Sequence, residues 1–132
     1  MLNTTIHEAF KVLLADPSET FCGNFSAMFS KNGTQIHTCG NGLTLIDEAC
    51  HFHPDFLIVN TALPSLSGLA AIDIIREKLR TDLPVAVILH SDSESLQAET
   101  VKRNVLFHFI APVVAADFQD LMVKLKEKIW AA

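Results

Sequence analysis

The residues best suited to hold a metal ion lie in one short segment. Cys50, His51 and His53 place a thiol and two imidazoles close together in the chain, and both groups are common ligands of zinc. The segment offers neither a recognised zinc spacing nor a fourth ligand. We therefore interpret it as the solvated end of a helix and predict no metal site.

A second set of candidate residues lies where apolar runs of the chain end. Asp16 and Asn60 end two such runs, and the pairs Leu89-His90 and Ala111-Pro112 end two others. Ligands of open α/β sheets bind beyond the carboxyl ends of the strands, so a binding site is expected at these positions. They do not supply a nucleophile together with a base and an orienting group. We predict that the chain is not an enzyme.

Asp16 also has a local explanation. In the segment Asp16-Pro17-Ser18-Glu19, Asp16 supplies an acceptor, Pro17 a fixed φ and Glu19 a reciprocal carboxylate, which is the spacing of a helix N-cap. The segment also lacks the glycines that would let its backbone wrap around a phosphate. We therefore interpret Asp16 as a helix cap in preference to a metal ligand.

Five apolar runs that are typical of strands alternate with helical patterns along the chain. The predicted strands cover residues 11–16, 34–39, 56–60, 85–89 and 105–111. Polar residues interrupt the second strand, which indicates a position near a sheet edge. A capping box at Ser91 to Glu94 predicts the start of the fourth helix. Alternating strands and helices with short connections imply a doubly wound α/β fold of three layers, with a parallel sheet in the middle.

Length and composition indicate one compact domain. The chain has 132 residues, 49% of them hydrophobic, and we divide it into an N-terminal extension, residues 1–10, and a domain, residues 11–132. With 15 acidic residues against 10 basic ones and no basic cluster, direct nucleic-acid binding is not expected. The three cysteines form no CxxC pair, and no apolar run is long enough to span a membrane. These features indicate a reducing, cytoplasmic setting without membrane contact.

Three segments at the strand ends share a pattern with a known family. One segment is Pro54-Asp55-Phe56-Leu57-Ile58-Val59-Asn60, continued by Thr61 to Gly68. It resembles a sequence motif in which a strand ends in a phosphoacceptor and is followed by a Met-Pro turn and an Asp-Gly pair. The run ending at Asp16 and the run ending at Ala111-Pro112 resemble strands that carry an acidic pair and a Lys-Pro. Residues 11 to 130 thus resemble the receiver domain of response regulators, the fold of the bacterial chemotaxis regulator. The resemblance implies a flavodoxin-like five-stranded parallel sheet in the order 2-1-3-4-5.

The resemblance also shows which receiver residues are replaced. Receivers form an aspartyl phosphate around Mg²⁺ with an acidic pair, a nucleophilic aspartate, a hydroxyl and a lysine. These positions are occupied here by Asp16, Pro17, Asn60, Leu89 and Ala111, with Ser91 as the alternative at the hydroxyl position. An amide oxygen is a poor nucleophile, and a single carboxylate is a weak Mg²⁺ site. The resemblance therefore implies a vestigial phosphorylation pocket with weak or absent Mg²⁺ binding and no other cofactor.

The resemblance implies a function in recognition. A chain that keeps the scaffold but replaces the chemistry is expected to act as a phosphorylation-independent signalling module that binds a protein partner. In receivers, the face made by the fourth helix, fifth strand and fifth helix carries dimer and partner contacts. By resemblance, the candidate interaction residues are His90, Lys102, Arg103, His108 and Phe118. Two alternatives stay open: a small-metabolite sensor that uses the pocket around Asn60 and Ala111, and the receiver part of a transcriptional regulator.

Overall fold

The computed structural model describes residues 9–130, with side chains as far as residue 128. Most of the predicted N-terminal extension lies outside the described residues. The elements in chain order are β1 (Phe10–Ala15), α1 (Glu19–Phe29), β2 (Thr34–Cys39), α2 (Gly42–Phe52), β3 (Phe56–Asn60), α3 (Gly68–Lys78), β4 (Val85–Leu89), α4 (Glu94–Val101), β5 (Phe107–Ile110) and α5 (Gln119–Leu125). A 3₁₀ turn, Ala115–Phe118, precedes α5, and a π-helical turn, Lys126–Trp130, continues it.

The five strands form one parallel sheet in the order β2-β1-β3-β4-β5. This confirms the predicted fold class and strand order. The central strands β1, β3 and β4 are buried almost throughout, which is why each of them appears in the sequence as a continuous apolar run. All five strands end at the same edge of the sheet, and the candidate residues therefore lie along that edge.

Helices cover both faces of the sheet and enclose two separate cores. On one face, α2 and α3 pack on alternate strand residues, and this core includes Leu13, Leu45, Leu57, Ile72, Ile75 and Leu89. On the other face, α1 and the α5 region pack on the intervening residues, and this core includes Phe10, Phe25, Ile58, Ile88, Phe118 and Leu125. The two sets alternate along β1, β3 and β4 because successive side chains of a strand point to opposite faces.

The last strand is shorter than predicted, and it is more exposed than its apolar run alone would indicate. Residues 105–111 were expected to form the strand, but β5 covers only Phe107–Ile110, and Phe107 is 52% and Ile110 42% exposed. Strand order explains the exposure, because β5 pairs with β4 and lies at the end of the sheet. An apolar run does not distinguish an edge strand from a central one, since that difference depends on the neighbours that the fold supplies.

Two helices begin at a different residue from the predicted one. Ser18, not Asp16, is the N-cap of α1, and its hydroxyl accepts a hydrogen bond from Phe21 N at 3.1 Å. Ser93, not Ser91, is the N-cap of α4, where its hydroxyl accepts from Leu96 N at 3.1 Å. In both segments two acceptors lie close together in sequence, and only one of them can have the N-cap backbone geometry. The cap prediction for Asp16 was wrong, and its carboxylate has different partners.

Two arginines attach α4 to α3. Thr100 is the one fully buried residue within α4, so packing alone holds this helix weakly. Arg103, just beyond α4, donates from Nε and Nη2 to the two carboxylate oxygens of Asp73 on α3, at 2.9 and 3.0 Å. Arg76 on α3 donates to the backbone oxygens of Leu83, Arg103 and Asn104. These bonds connect the end of α4 to the body of the domain.

In the part of the chain that the structure describes, no helix combines the length and the apolar character that crossing a membrane requires.

Candidate functional site

Asp16 and Asn60 form a buried pair at the carboxyl edge of the sheet. Asp16 directly follows β1, and Asn60 is the last residue of the adjacent strand β3. Each residue is less than a tenth exposed. Asn60 Nδ2 donates a hydrogen bond to Asp16 Oδ2 at 3.0 Å. The other carboxylate oxygen, Asp16 Oδ1, accepts from Ser18 N at 2.8 Å. Both oxygens of the carboxylate therefore have a donor from the protein itself.

The orientation of the Asn60 amide follows from its second contact. Asn60 Oδ1 lies 2.8 Å from Ala62 N, and because a backbone N–H only donates, the oxygen must face Ala62. The NH₂ group is then the one that faces Asp16. An aspartate at position 60 would accept from Ala62 equally well, but it would present a second carboxylate oxygen to Asp16 where the amide presents a donor.

The remaining positions of the predicted vestigial pocket carry no charge. Pro17 is exposed at the start of the turn into α1. Leu89 is fully buried, and its side chain belongs to the core under α2 and α3. Ala111 is half-buried and donates its backbone N–H to Leu89 O at 2.9 Å, so these two positions are neighbours through the backbone of β4 and β5. The Ser91 hydroxyl accepts from Ser93 N at 3.4 Å, in the turn that leads into α4.

A second polar pair, which the sequence did not reveal, joins the ends of β3 and β4. Thr61 Oγ1 lies 2.6 Å from His90 Nδ1 and also accepts from His90 N at 3.0 Å. Thr61 is buried, whereas the His90 imidazole is exposed. The two residues are 29 positions apart, and only the pairing of the strands brings them together. The Thr61 hydroxyl, which is the one nearest in sequence to Asn60, is therefore engaged in hydrogen bonds that connect the ends of β3 and β4.

A cavity of about 380 Å³ lies beside Asp16, between the ends of β1 and β2 and the start of α1. The thiols of Cys22 and Cys39 line it together with Asp16, Glu19 and Thr38. Burial, reinforced by nearby carboxylates, raises the pKa of both Cys22 and Cys39 to about 11. Both thiols are therefore protonated at neutral pH, and a protonated thiol is neither a good metal ligand nor a good nucleophile.

The segment with Cys50, His51 and His53 ends α2. His53 has a left-handed backbone at the C-cap, and His51 Nδ1 lies 2.8 Å from the Asp47 carbonyl oxygen. That hydrogen bond, together with the charge of the Asp47 carboxylate, raises the pKa of His51. Among the residues that the structure describes, no group of three or more His, Cys, Asp or Glu side chains could hold a metal ion.

The predicted interaction residues divide into exposed and occupied ones. His90, Lys102 and His108 are exposed, and Lys102 forms an ion pair with Glu99 at 2.9 Å. The Arg103 side chain is only 21% exposed because it is engaged with Asp73.

For Phe118 the prediction is corrected. Its side chain is fully buried, with its ring 4.3 Å from that of Phe109 and 5.6 Å from that of Phe25. Phe118 is therefore part of the core and cannot contact a partner at the surface.

Comparisons with known proteins agree with the geometry. The family model described as the response regulator receiver domain matches residues 12–119. A comparison with curated protein sequences gave no match.

Solved receiver domains superpose over nearly the whole chain. A CheY-like receiver domain protein from Methanospirillum hungatei JF-1 has a TM-score of 0.78 at 15% identity, covering 92% of this chain and 94% of its own. The receiver domain of a putative Luxo repressor protein from Vibrio parahaemolyticus gives 0.79 at 16% identity, covering 92% of each chain. The chemotaxis protein CheY4 of Vibrio cholerae gives 0.76 at 17%, covering 89% of this chain and 98% of its own. With its strand order, its carboxyl-edge site and the family match, the chain belongs to the response regulator receiver domain family.

Proposed function

We propose that this receiver domain acts without phosphorylation, as a protein-interaction module, and that it has no enzymatic activity of its own. One observation carries the proposal: the buried carboxylate of Asp16 is satisfied by the Asn60 amide at 3.0 Å and by Ser18 N at 2.8 Å. Each donor takes up one acceptor site of the carboxylate, and the amide at position 60 leaves a divalent cation with only one anionic ligand in this pair.

The chemistry at the neighbouring positions supports the same proposal. Phosphoryl transfer to a carboxylate needs a nucleophilic oxygen and cations that neutralise the developing charge. Asn60 offers an uncharged amide whose oxygen already accepts from Ala62 N. Leu89 and Ala111 offer neither a hydroxyl nor a cation. Each step that a receiver uses to form an acyl phosphate therefore lacks its group here, and Mg²⁺ should bind weakly or not at all.

The proposed interaction surface is the face made by α4, β5 and α5. Exposed apolar side chains, Val101 and Ile110, lie there beside the exposed His108, and apolar groups grouped on a surface mark contact sites. Charge favours a second copy as the partner. The first turns of α4 and α5, at the carboxyl edge of the sheet, carry the acids Glu94 and Asp120, whereas Lys102, just beyond α4, and Lys124, in the last turn of α5, lie toward the other edge. A two-fold pairing of antiparallel β5 edges would place acidic ends against basic ends.

Phosphorylation is tested directly. The full chain is incubated with acetyl phosphate, or with beryllofluoride and Mg²⁺, and followed by intact mass and by amide NMR spectra. We expect no mass adduct and no shifts around Asp16 and Asn60. A stoichiometric adduct on any aspartate would refute the proposal. The variant Asn60→Asp is the matched comparison, because it restores the nucleophilic carboxylate while leaving Leu89 and Ala111 in place.

The interaction surface is tested by light scattering after size-exclusion chromatography. We expect a concentration-dependent dimer that Ile110→Asp weakens. Leu43→Asp, on the exposed surface of α2, is the control and should leave the dimer unchanged. A monomer at all concentrations would rule out the second copy as the partner and would leave a different protein to be found by crosslinking.

The cavity beside Asp16 supports one alternative, a sensor of small polar metabolites. Its volume of about 380 Å³ is within the range of ligand pockets, roughly 300–1,000 Å³. Its lining offers carboxylates and a hydroxyl but no pattern that selects one ligand. A thermal-shift screen with cationic and polyol metabolites would favour this alternative if a compound stabilised the chain and Thr38→Val removed the effect. For either function we propose a reducing, cytoplasmic setting, which the three free cysteines support.

A further inference from the structure

An apolar cavity of about 650 Å³ lies at the edge of the sheet opposite to the Asp16–Asn60 pair. Its floor and walls are apolar and consist of Pro84, Leu106, Phe107, Leu121 and Leu125. Pro84 and Leu106 directly precede β4 and β5, so the cavity opens where these strands begin. Leu106 and Phe107 are each about half exposed, at 49% and 52%. Large apolar side chains that surround a concave surface usually mark a ligand or partner site.

The rim of this cavity is positively charged. Lys124 and Lys128 line it, with Glu127 as the one acid among its lining residues. This rim has a local charge of +1 on a chain whose net charge is −5. Lysines near the end of a helix also favour the helix dipole, but the dipole does not account for the exposed leucine and phenylalanine beside them.

We propose that this cavity binds an amphipathic monoanion, with an aliphatic or aromatic body on the apolar floor and a carboxylate at Lys124 and Lys128. The volume is suitable for such a ligand, since small-molecule sites measure roughly 300–1,000 Å³ and are mostly apolar with few polar groups. The combination of an apolar floor and a cationic rim selects against neutral polar metabolites and against amphipathic cations. This inference goes beyond the proposed function and uses different side chains, although β5 and α5 also contribute to the proposed interaction surface.

The test uses three probes that share one alkyl chain and differ in the charge of the head group. Decanoate, decanol and decyltrimethylammonium are titrated into the full chain below their aggregation concentrations, with detection by calorimetry and amide NMR shifts. We expect decanoate to bind most tightly, about tenfold or more above the cationic probe, because each exposed ion pair with a lysine contributes up to roughly a factor of five. The shifts should centre on residues 106–107 and 121–128, and added salt should weaken decanoate binding.

Variants separate the apolar part of the site from its charge. Phe107→Ser should weaken all three probes. The double substitution Lys124→Glu with Lys128→Glu should weaken decanoate by about tenfold and strengthen decyltrimethylammonium, because it reverses the sign of both ion pairs. Val123→Ser, on the same helix but outside the cavity, and Lys78→Glu, on α3, are the matched controls and should change no affinity. Circular dichroism confirms that each variant is folded.

Three results would overturn the inference. Equal affinity for the three head groups would show an unselective apolar surface. The absence of any decanoate binding at millimolar concentration would show that the cavity takes no such ligand. A dimer that dissociates in Phe107→Ser, together with decanoate binding that the lysine reversal leaves unchanged, would show that a second copy covers this cavity.

Discussion

The substitution Asn60→Asp is the sharpest test of how the carboxyl-edge site is held together. It changes the shape of the side chain very little, but it replaces the NH₂ donor that lies 3.0 Å from Asp16 Oδ2 with a carboxylate oxygen. The donor from Ser18 and the donor from Ala62 remain in place. The experiment therefore isolates one contact, the one that we propose replaces the cation of the family's site.

The size of the effect follows from two bounds. Two unit charges about 3.0 Å apart repel by roughly 5 kcal/mol at an effective dielectric constant of about 20. The variant can avoid this repulsion by keeping a proton on one carboxyl group, which costs about 4 kcal/mol at pH 7 for a group with an ordinary pKa of about 3.9. The cheaper route sets the cost. We expect the free energy of unfolding at pH 7 to fall by about 3–4 kcal/mol.

The pH dependence has a definite sign. The shared proton raises the folded-state pKa of the carboxyl pair in the variant, so the native state binds more protons than the unfolded state. The variant should match the parent near pH 4, where the introduced carboxyl group is protonated and donates to Asp16 as the amide does. Its stability relative to the parent should then fall as the pH rises, and the loss should level off above the raised pKa.

The assay is urea denaturation followed by circular dichroism, for the parent and the variant, in steps from about pH 4 to pH 8. Asn24→Asp, on the exposed surface of α1, adds the same charge away from Asp16 and serves as the control. Mg²⁺ should stabilise the variant and not the parent, because only the variant offers two carboxylates to one cation. A variant as stable as the parent at pH 7, or one whose deficit does not change with pH, would refute this reasoning.

Three further predictions concern the rest of the domain. Gly42→Ala should lower the free energy of unfolding by about 2 kcal/mol or more, because the added Cβ would lie 2.1 Å from a backbone oxygen of the β3–α3 loop. Gly23→Ala, whose Cβ would meet nothing within 4 Å, should stabilise α1 by about 1 kcal/mol. Thermal unfolding measures both changes. Arg76→Ala should cost about 2 kcal/mol in urea denaturation and speed hydrogen exchange in α4, while the exposed Arg80→Ala should change neither measurement. Cys39, whose pKa is raised to about 11, should react with iodoacetamide at neutral pH far more slowly than in the unfolded chain, as followed by mass spectrometry.

Much of the fold was predictable because its central strands are buried on both faces. The predicted bounds of the central strands β3 and β4 agree with the structure, and so do those of the edge strand β2. The exposure of β5 does not follow from its apolar run, because a strand at the sheet end and a strand at its centre can have the same apolar composition; only the strand order that the resemblance implies places β5 at the end of the sheet. The opposite error concerns Phe118, which was assigned to the surface but lies in the core, at the end of the 3₁₀ turn before α5.

The candidate site was predictable in its members but not in its contacts. The end of each strand could be located in the sequence, and the family resemblance indicated which position had lost its carboxylate. The hydrogen bond between Asp16 and Asn60 joins residues 44 positions apart, and the tie between Thr61 and His90 spans 29. Such contacts depend on strand order and register. The role of Asp16 as a cap was a local inference, and a closer acceptor, Ser18, displaced it.

The pairing of Asp16 with Asn60 also bears on how a domain of this kind would be controlled. A hydrogen bond within the chain forms without an ion or a phosphate, and if the domain acts as proposed, no phosphorylation event changes the state of the surrounding backbone. Under the proposed function, the occupancy of the partner then depends only on the concentrations of the two proteins and on their dissociation constant. Synthesis and degradation would set the output, and the time scale of the response would be that of protein turnover.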